Sequence, residues 1–176
     1  MSLHPSARSR NVRATLVSYL AGLTITGAPS FDPTEVQNNS TAMGVGPWMR
    51  ATVDLQDGEY SGLYEEGVAA HRVPVTVTIQ LFWPSGHRPP MPSMPGQTVT
   101  VDYGEIDTAA DEVADAFRHR HLPLLDYVGT PDNPPEVVGH RLMFRDPASP
   151  RQLPAQGPWR RRQIVADGEY IHRHTL

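Results

Sequence analysis

The sequence predicts an α+β domain in which one antiparallel or mixed β-sheet is packed by two or more helices. Three observations carry that expectation. Residues 73–83 alternate strictly, with Val73, Val75, Val77, Ile79, Leu81 and Trp83 on one face and Thr76, Thr78 and Gln80 on the other. A period of two built from β-branched residues describes a long, half-buried antiparallel strand. Residues 48–55 repeat the pattern, with Met49, Ala51, Val53 and Leu55 opposite Trp48, Arg50, Thr52 and Asp54. Farther on the period changes, because Ile106, Ala110, Val113 and Phe117 recur at helical spacing. Each strand has one apolar face and the helix one apolar stripe, so each needs the others for burial. The strand at 48–55 is therefore expected to pair with residues 75–83, under the helix.

The first element in the chain is also a helix, since Val12, Leu16, Tyr19, Leu20 and Leu23 follow an amphipathic spacing. Arg8, Arg10 and Arg13 ahead of this apolar stretch outline a signal peptide as well. Thr15, Ser18 and Gly22 dilute that would-be hydrophobic region, and the surface helix is the expectation. Residues 27–46 are rich in Pro, Asn, Ser, Thr and Gly and read as a loop. Asp57-Gly58 is a turn signal, and 59–72 reads as a polar connection into the long strand. Pro74 cannot donate to a ladder and belongs near the strand's start or at an edge. Residues 84–96 hold five prolines and form an extended, partly polyproline loop. Residues 98–103 alternate as a short strand.

Asp107 or Thr108 then caps the second helix, which runs to about His119. Asp111 and Glu112 sit in its first turn and Arg118, His119 and Arg120 in its last, the polarity that the helix dipole favours. After a loop at 129–135, Val138, His140, Leu142 and Phe144 share one face of a strand over 137–145. A Pro-rich connection at 147–158 leads to a last strand over 159–166 and a polar tail. No repeat or domain-sized linker interrupts residues 1–176, so a single domain is expected.

Composition narrows the function. The chain is 39% hydrophobic and 19% charged, with 18 prolines and 14 glycines. It has no cysteine, which removes disulfides, Cys-based zinc sites and thiol nucleophiles. All 15 basic residues are arginine, so no lysine exists for a Schiff base. A net charge of -4 argues against a general nucleic-acid binder. No stretch approaches the roughly 20 apolar residues that span a bilayer.

A search for chemistry finds little. His119-Arg120-His121 and His172-Arg173-His174 could each chelate a divalent ion from an extended segment, where residues two apart share a face. No third histidine or carboxylate stands at a familiar metal-site spacing from either pair, and no metal or other cofactor is expected. Asp111 and Asp115, four apart on a helix, could do acid–base work, but Asp115 is also placed to pair with Arg118 or His119. No Gly-x-Ser-x-Gly elbow or phosphate-binding loop is present. Trp159-Arg160-Arg161-Arg162 is the most basic patch, although alternation in a strand sets Arg161 against the other two. Residues 102–115 hold six acidic residues and no arginine. Two oppositely charged segments on one chain suit head-to-tail self-association. Arg160, Arg161, Arg162, Asp107, Asp111, Glu112 and Asp115 are the candidate interface residues, and no catalytic residue is assigned.

The order of parts resembles the tail terminator (tail completion) family of long-tailed bacteriophages. The resemblance lies in an N-terminal helix, then Gly46-Pro47-Trp48-Met49-Arg50-Ala51-Thr52-Val53. A connection with Gly62-Leu63 and His71-Arg72 follows, then a long strand ending in Phe82-Trp83-Pro84-Ser85-Gly86. The helix Asp111-Glu112-Val113-Ala114-Asp115-Ala116-Phe117 and closing strands with Trp159 complete it. The chain departs from the pattern at Pro74, where glycine is expected, in its enlarged loop at 84–96, and in lacking a short strand between Phe31 and Gly46. The resemblance implies a curved sheet packed by helices and no active site. It also implies a homo-oligomeric, hexameric ring that caps the head-proximal end of the tail tube. Its partners would be the tail tube protein and a neck or head–tail connector protein, and its place the tail–neck region of the virion, after assembly in the host cytoplasm. Another neck or head–tail joining protein is the alternative, and a small metal-dependent or carboxylate-based hydrolase a third reading.

Overall fold

The computed structural model describes residues 8–32, 46–56, 59–65, 68–84, 104–126 and 136–175. The expected loop at 84–96 beyond Pro84, the strand at 98–103, the Asp57-Gly58 turn and the loop at 129–135 lie outside the described residues. The elements are α1 (Arg8–Ala21), β1 (Ser30–Asp32), β2 (Trp48–Leu55), β3 (Glu59–Glu65), β4 (Val68–Pro84), α2 (Glu105–Phe117), β5 (His121–Asp126), β6 (Glu136–Phe144), β7 (Arg151–Gln156) and β8 (Trp159–Thr175). The strands form one curled mixed sheet in the order β1-β2-β4-β8-β6-β5, with β3 added to β4 and β7 to β8. Only the short β1–β2 pair is parallel among the pairings described. The fold is α+β, as the sequence predicts.

The expected pairing of β2 with β4 holds, from Trp48↔Phe82 to Leu55↔Val75. The alternation in β4 decides what is buried. Val73, Val75, Val77, Ile79, Leu81 and Trp83 are all core residues on the face that the helices cover. Pro74 lies inside β4 and not at its start, yet its position is still an edge in effect. β2 pairs with β4 only as far as Leu55↔Val75, and β3 begins at Glu59↔Arg72. Pro74 sits between them, where its carbonyl accepts from Gln56 N at 3.2 Å. The reciprocal bond of that pair is the one a proline cannot make.

Both helices pack on the inner face. Val12, Leu16 and Leu20 of α1 join Ile106, Ala109, Ala110, Val113, Ala114 and Phe117 of α2 in one core cluster. Phe117 links the layers: its ring meets Tyr19 edge-on at 5.5 Å and Phe144 edge-on at 4.9 Å. Helix α2 starts two residues before the expected cap. Gly104 is its N-cap without a side-chain bond, and Glu105 and Asp107 occupy the first turn. Arg118 is the C-cap, so Arg118, His119 and Arg120 lie past the helix, and the expected basic last turn is absent.

Four stretches differ from the sequence reading, each for a physical reason. Ser30–Asp32, inside the expected loop, pairs with Trp48–Arg50, too briefly for an alternation to register. The polar connection 59–72 is a hairpin of β3 with the start of β4, irregular at Tyr60/Gly62 and Leu63/Glu65. The Pro-rich connection contains β7, a strand exposed at nearly every position and held by its ladder to β8. The tail is not a tail, because β8 runs on to Thr175 and pairs with β4 along its whole length. Gly168 interrupts the apolar pattern there: a Cβ would stand 2.7 Å from Met143 O and 2.8 Å from the Phe144 ring, so glycine is what lets β6 cross β8. The sequence also leaves β5 unread, since Pro123 breaks its pattern; it is the last strand of the sheet, an edge that tolerates proline.

Two substitutions test this packing. Phe117→Ala removes a fully buried ring that touches both layers and is expected to cost about 3–5 kcal/mol in urea unfolding. Gly27→Ala adds a methyl 2.5 Å from the Trp83 ring at a backbone φ of +76°; a lowered melting temperature is expected, on both steric and conformational grounds.

Candidate interaction surface

The basic triplet opens β8 directly after the turn at Gly157-Pro158, where Gly157 takes a φ of +55°. Alternation then splits it. Arg160 and Arg162 are opposite Trp83 and Leu81 and continue the inner face, while Arg161 is opposite Phe82 on the outer face. Helix α2 brings its N-terminus to the inner pair. Arg162 Nε donates to Asp107 Oδ1 at 2.6 Å, with the arginine 16% exposed and the aspartate 51%. Gly104 is close enough to Arg160 that a Cβ would lie 3.2 Å from its Nη1. The two oppositely charged segments of the sequence therefore meet within one chain at this point.

The other acidic candidates are placed differently. Glu112 clamps the segment after α1, accepting from Thr26 N at 2.6 Å and from Thr26 Oγ1 at 2.7 Å. Asp115 pairs with Arg118 at 3.0 Å, the i,i+3 contact that the sequence suggests. Asp111 is exposed on α2 and makes no ion pair among the described residues. Arg161 and Asp111 make neither an ion pair nor a side-chain hydrogen bond among the described residues, unlike Asp107, Glu112, Asp115 and Arg162.

On the outer face, the sheet register builds a cluster that sequence reading missed. Trp48, Phe82 and Arg161 stand in one cross-strand row over β2, β4 and β8. Trp48 stacks on Phe82 with centroids 3.7 Å apart and planes 10° apart, and Trp159 meets Trp48 edge-on at 6.2 Å. The guanidinium carbons of Arg50 and Arg161 lie 5.2 and 5.3 Å from the Phe82 centroid, within cation–π range. Arg50 also donates to Gln80 Oε1 through Nε at 3.0 Å and Nη2 at 2.6 Å. Trp48 Nε1 and Arg161 Nε are buried with no hydrogen-bond acceptor among the described residues. The signal was present in the sequence: Trp48 and Phe82 are large aromatics on the polar side of two alternating strands. Toward the other end of this face acidic and basic groups are mixed and paired. Thr76 Oγ1 donates to Asp167 at 2.7 Å, and Glu169 takes Arg145 at 3.3 Å and Arg72 at 3.5 Å.

Two depressions flank α1. A cleft of about 480 Å³ lies between Tyr19 and Leu23 on one side and Asp115, Arg118 and Arg120 on the other. Tyr19 donates from its hydroxyl to Ala116 O at 2.5 Å, and burial raises its pKa against the opposing effect of Arg120, whose guanidinium lies 5.4 Å from its ring. A second, apolar groove of about 340 Å³ lies among Leu16, Val17, Leu20, Phe31, Ala51 and Val53. Neither is lined by a histidine. His119, at φ +48°, points its Nε2 to Asp146 at 3.3 Å, and His121 starts β5, so this pair straddles a turn and does not share a strand face. Among the described residues no group of three or more His, Cys, Asp or Glu is arranged to hold a metal ion, and no helix is long and apolar enough to cross a membrane.

The Glu112 clamp can be measured. Glu112→Ala leaves Thr26 without its acceptors and is expected to cost on the order of 2 kcal/mol in urea unfolding. Asp111→Ala, one residue away and exposed, should stay within about 0.5 kcal/mol of the parent.

Set against known proteins, the chain matches no family model and no curated protein.

Proposed function

We propose that this chain is a structural subunit of a phage tail: a tail-terminator-like protein that forms a ring on the head-proximal end of the tail tube. The reading rests on the resemblance in the order of parts. The single structural observation that supports it is an open sheet whose two ends differ. One end is the short parallel β1 on β2, beside the apolar groove, and the other is β5, bent by a bulge at Pro123/Leu125. A contact between unlike ends is head-to-tail, and head-to-tail contacts close into rings when the rotation per subunit allows.

A tube that grows by adding identical rings has no intrinsic stop, because every new surface repeats the last. A terminator binds that surface through one face of its ring and offers a different face to the neck. The task needs two unlike faces and a closed ring, and it needs no active site. Of the charged candidates, Arg161 and Asp111 are the two that we assign to contacts between copies. Arg162 and Asp107 are assigned to holding α2 against β8.

Negative-stain electron microscopy and light scattering of the pure protein should show a ring. Charge reversal at Arg161 or at Asp111 alone should weaken it, and the double reversal should restore it, because attraction returns when both signs change. Deleting the gene should yield overlong or unjoined tails beside full heads. Tails of normal length already joined to heads would overturn the reading, whatever the protein's state in solution.

A further inference from the structure

The two helices are held on the inner face by unequal means. The buried side of α2 is wholly apolar, from Ile106 to Phe117, and the helix packs on β8 and β4 at the centre of the sheet. The buried side of α1 is partly polar, with Asn11 and Thr15 beside Val12, Leu16 and Leu20. Burial of apolar surface is the main driving force for docking, and α1 has less of it to offer. Among the strands α1 packs chiefly on β5, an edge of the sheet. The depressions of about 480 and 340 Å³ run along its two sides and open both flanks to solvent. Its first turn has no acid and its last no base, so the helix dipole goes uncompensated. The chain just beyond it is fixed separately. Gly22 N donates back to Ser18 O and Tyr19 O, and Leu23 N to Leu20 O, so these residues belong with the helix. Ile25 is in the core, Thr26 is held by Glu112, and Gly27 lies against the Trp83 ring, so these belong with α2 and the sheet. The boundary falls at Leu23 and the exposed Thr24.

We propose that α1 is a strap: it undocks from the inner face as one unit, hinged at Leu23-Thr24, while α2 and the sheet stay folded. Openings short of global unfolding release contiguous elements, beginning with those that have the fewest buried apolar contacts. What opens here is the α1 contact with β5, the edge-on contact of Tyr19 with Phe117 and the bond from the Tyr19 hydroxyl to Ala116 O. With α1 lifted, the two depressions beside it become one trough. Phe31, Ala51 and Val53 stand on one side, Arg118 and Arg120 on the other, and Phe117 is uncovered between them. A minor population of the native chain thus offers an apolar face that the closed form covers. The Glu112 clamp on Thr26 is the fixed post of this device, because it stops the opening from spreading into β1. The strap is a property of the single chain and does not depend on assembly into a ring.

The test is native-state hydrogen exchange of the full chain, read amide by amide. The amides from Val12 to Leu23 should share one opening and be protected at least about 100-fold less than those of α2 and β4, with the Thr26 amide in the protected group. Ile164→Val trims a buried side chain of β8 that the strap does not move. It should lower protection in α2 and β4 by about 2- to 10-fold and leave α1 unchanged, because a loss common to the closed and open forms cancels between them. Leu16→Asp places a carboxylate on the fully buried side of α1 and should hold the strap open. Its α1 amides should exchange without protection while those of α2 and β4 remain protected. Protection in α1 equal to that in α2 would overturn the proposal. So would a fall in α1 protection in step with α2 in Ile164→Val, a Thr26 amide that exchanges with α1 in the parent, or global unfolding of Leu16→Asp.

Discussion

The antiparallel ladder between β4 and β8 is the constraint on which the molecule depends. Both strands are 17 residues long and pair from end to end, a ribbon of about 55 Å. Every other strand bonds to one of these two directly, or through a single intermediate in the cases of β1 and β5. The inner side of the same ribbon supplies Val75, Val77, Ile79, Leu81, Trp83, Ile164 and Ala166 to the core against which α2 packs. Because α2, β5, β6 and β7 lie between β4 and β8 in sequence, the core cannot close until two distant segments meet. Loop-closure entropy is spent before this contact returns anything, which marks the fold as a slow one.

The ladder also sorts charge. Strand alternation makes a run of three arginines into a pair on one side and a single residue on the other, so the triplet cannot act as one patch. On the inner side the apolar rows give way to Arg162 opposite Leu81 and Arg160 opposite Trp83. That is where the N-terminus of α2 arrives with Glu105 and Asp107 in its first turn. Acidic groups at a helix N-terminus are favoured by the helix dipole, and here one of them also accepts from Arg162. With Asp107 half exposed, the pair is worth only about 0.2–1 kcal/mol. Its value is directional: it helps set where the helix begins on the sheet. Trp83 adds to this by donating to Glu105 at 3.4 Å and by packing against Gly27.

What could be read from the sequence was whatever alternated against a core. The face of β4, the pairing of β2 with β4, the α1 stripe and the Ile106-Ala110-Val113-Phe117 stripe were legible because burial writes period two or period 3.6 directly. Strands without a buried face were not. β7 is exposed on both sides, β1 has three residues, β5 is broken by Pro123, and the far half of β8 passes through Asp167-Gly168. Backbone pairing alone holds such segments, and it leaves no hydrophobic signature. The same limit applied to the surface. The charged residues were legible, but which of them met was not, because Arg162 reaches Asp107 and Arg161 reaches Phe82 only through the three-dimensional register.

An open sheet carries a hazard that bears on assembly, since an unpaired edge is a template for any other strand. This sheet blunts its edges. β1 is short, β5 carries Pro123 and a bulge, and β7 carries Pro154 with a register shift between Leu153 and Gln156. Continuous strand addition between copies is therefore disfavoured at each of them. In the proposed ring, contacts between copies would then favour side-chain surfaces, where charge and shape select both the partner and the angle. That is the requirement for a closed ring. Edge-to-edge pairing would propagate without limit, whereas a side-chain contact of fixed rotation can return to its starting subunit. A protein proposed to end a polymer needs that distinction in its own surface, and the blunted edges at β1, β5 and β7 favour it.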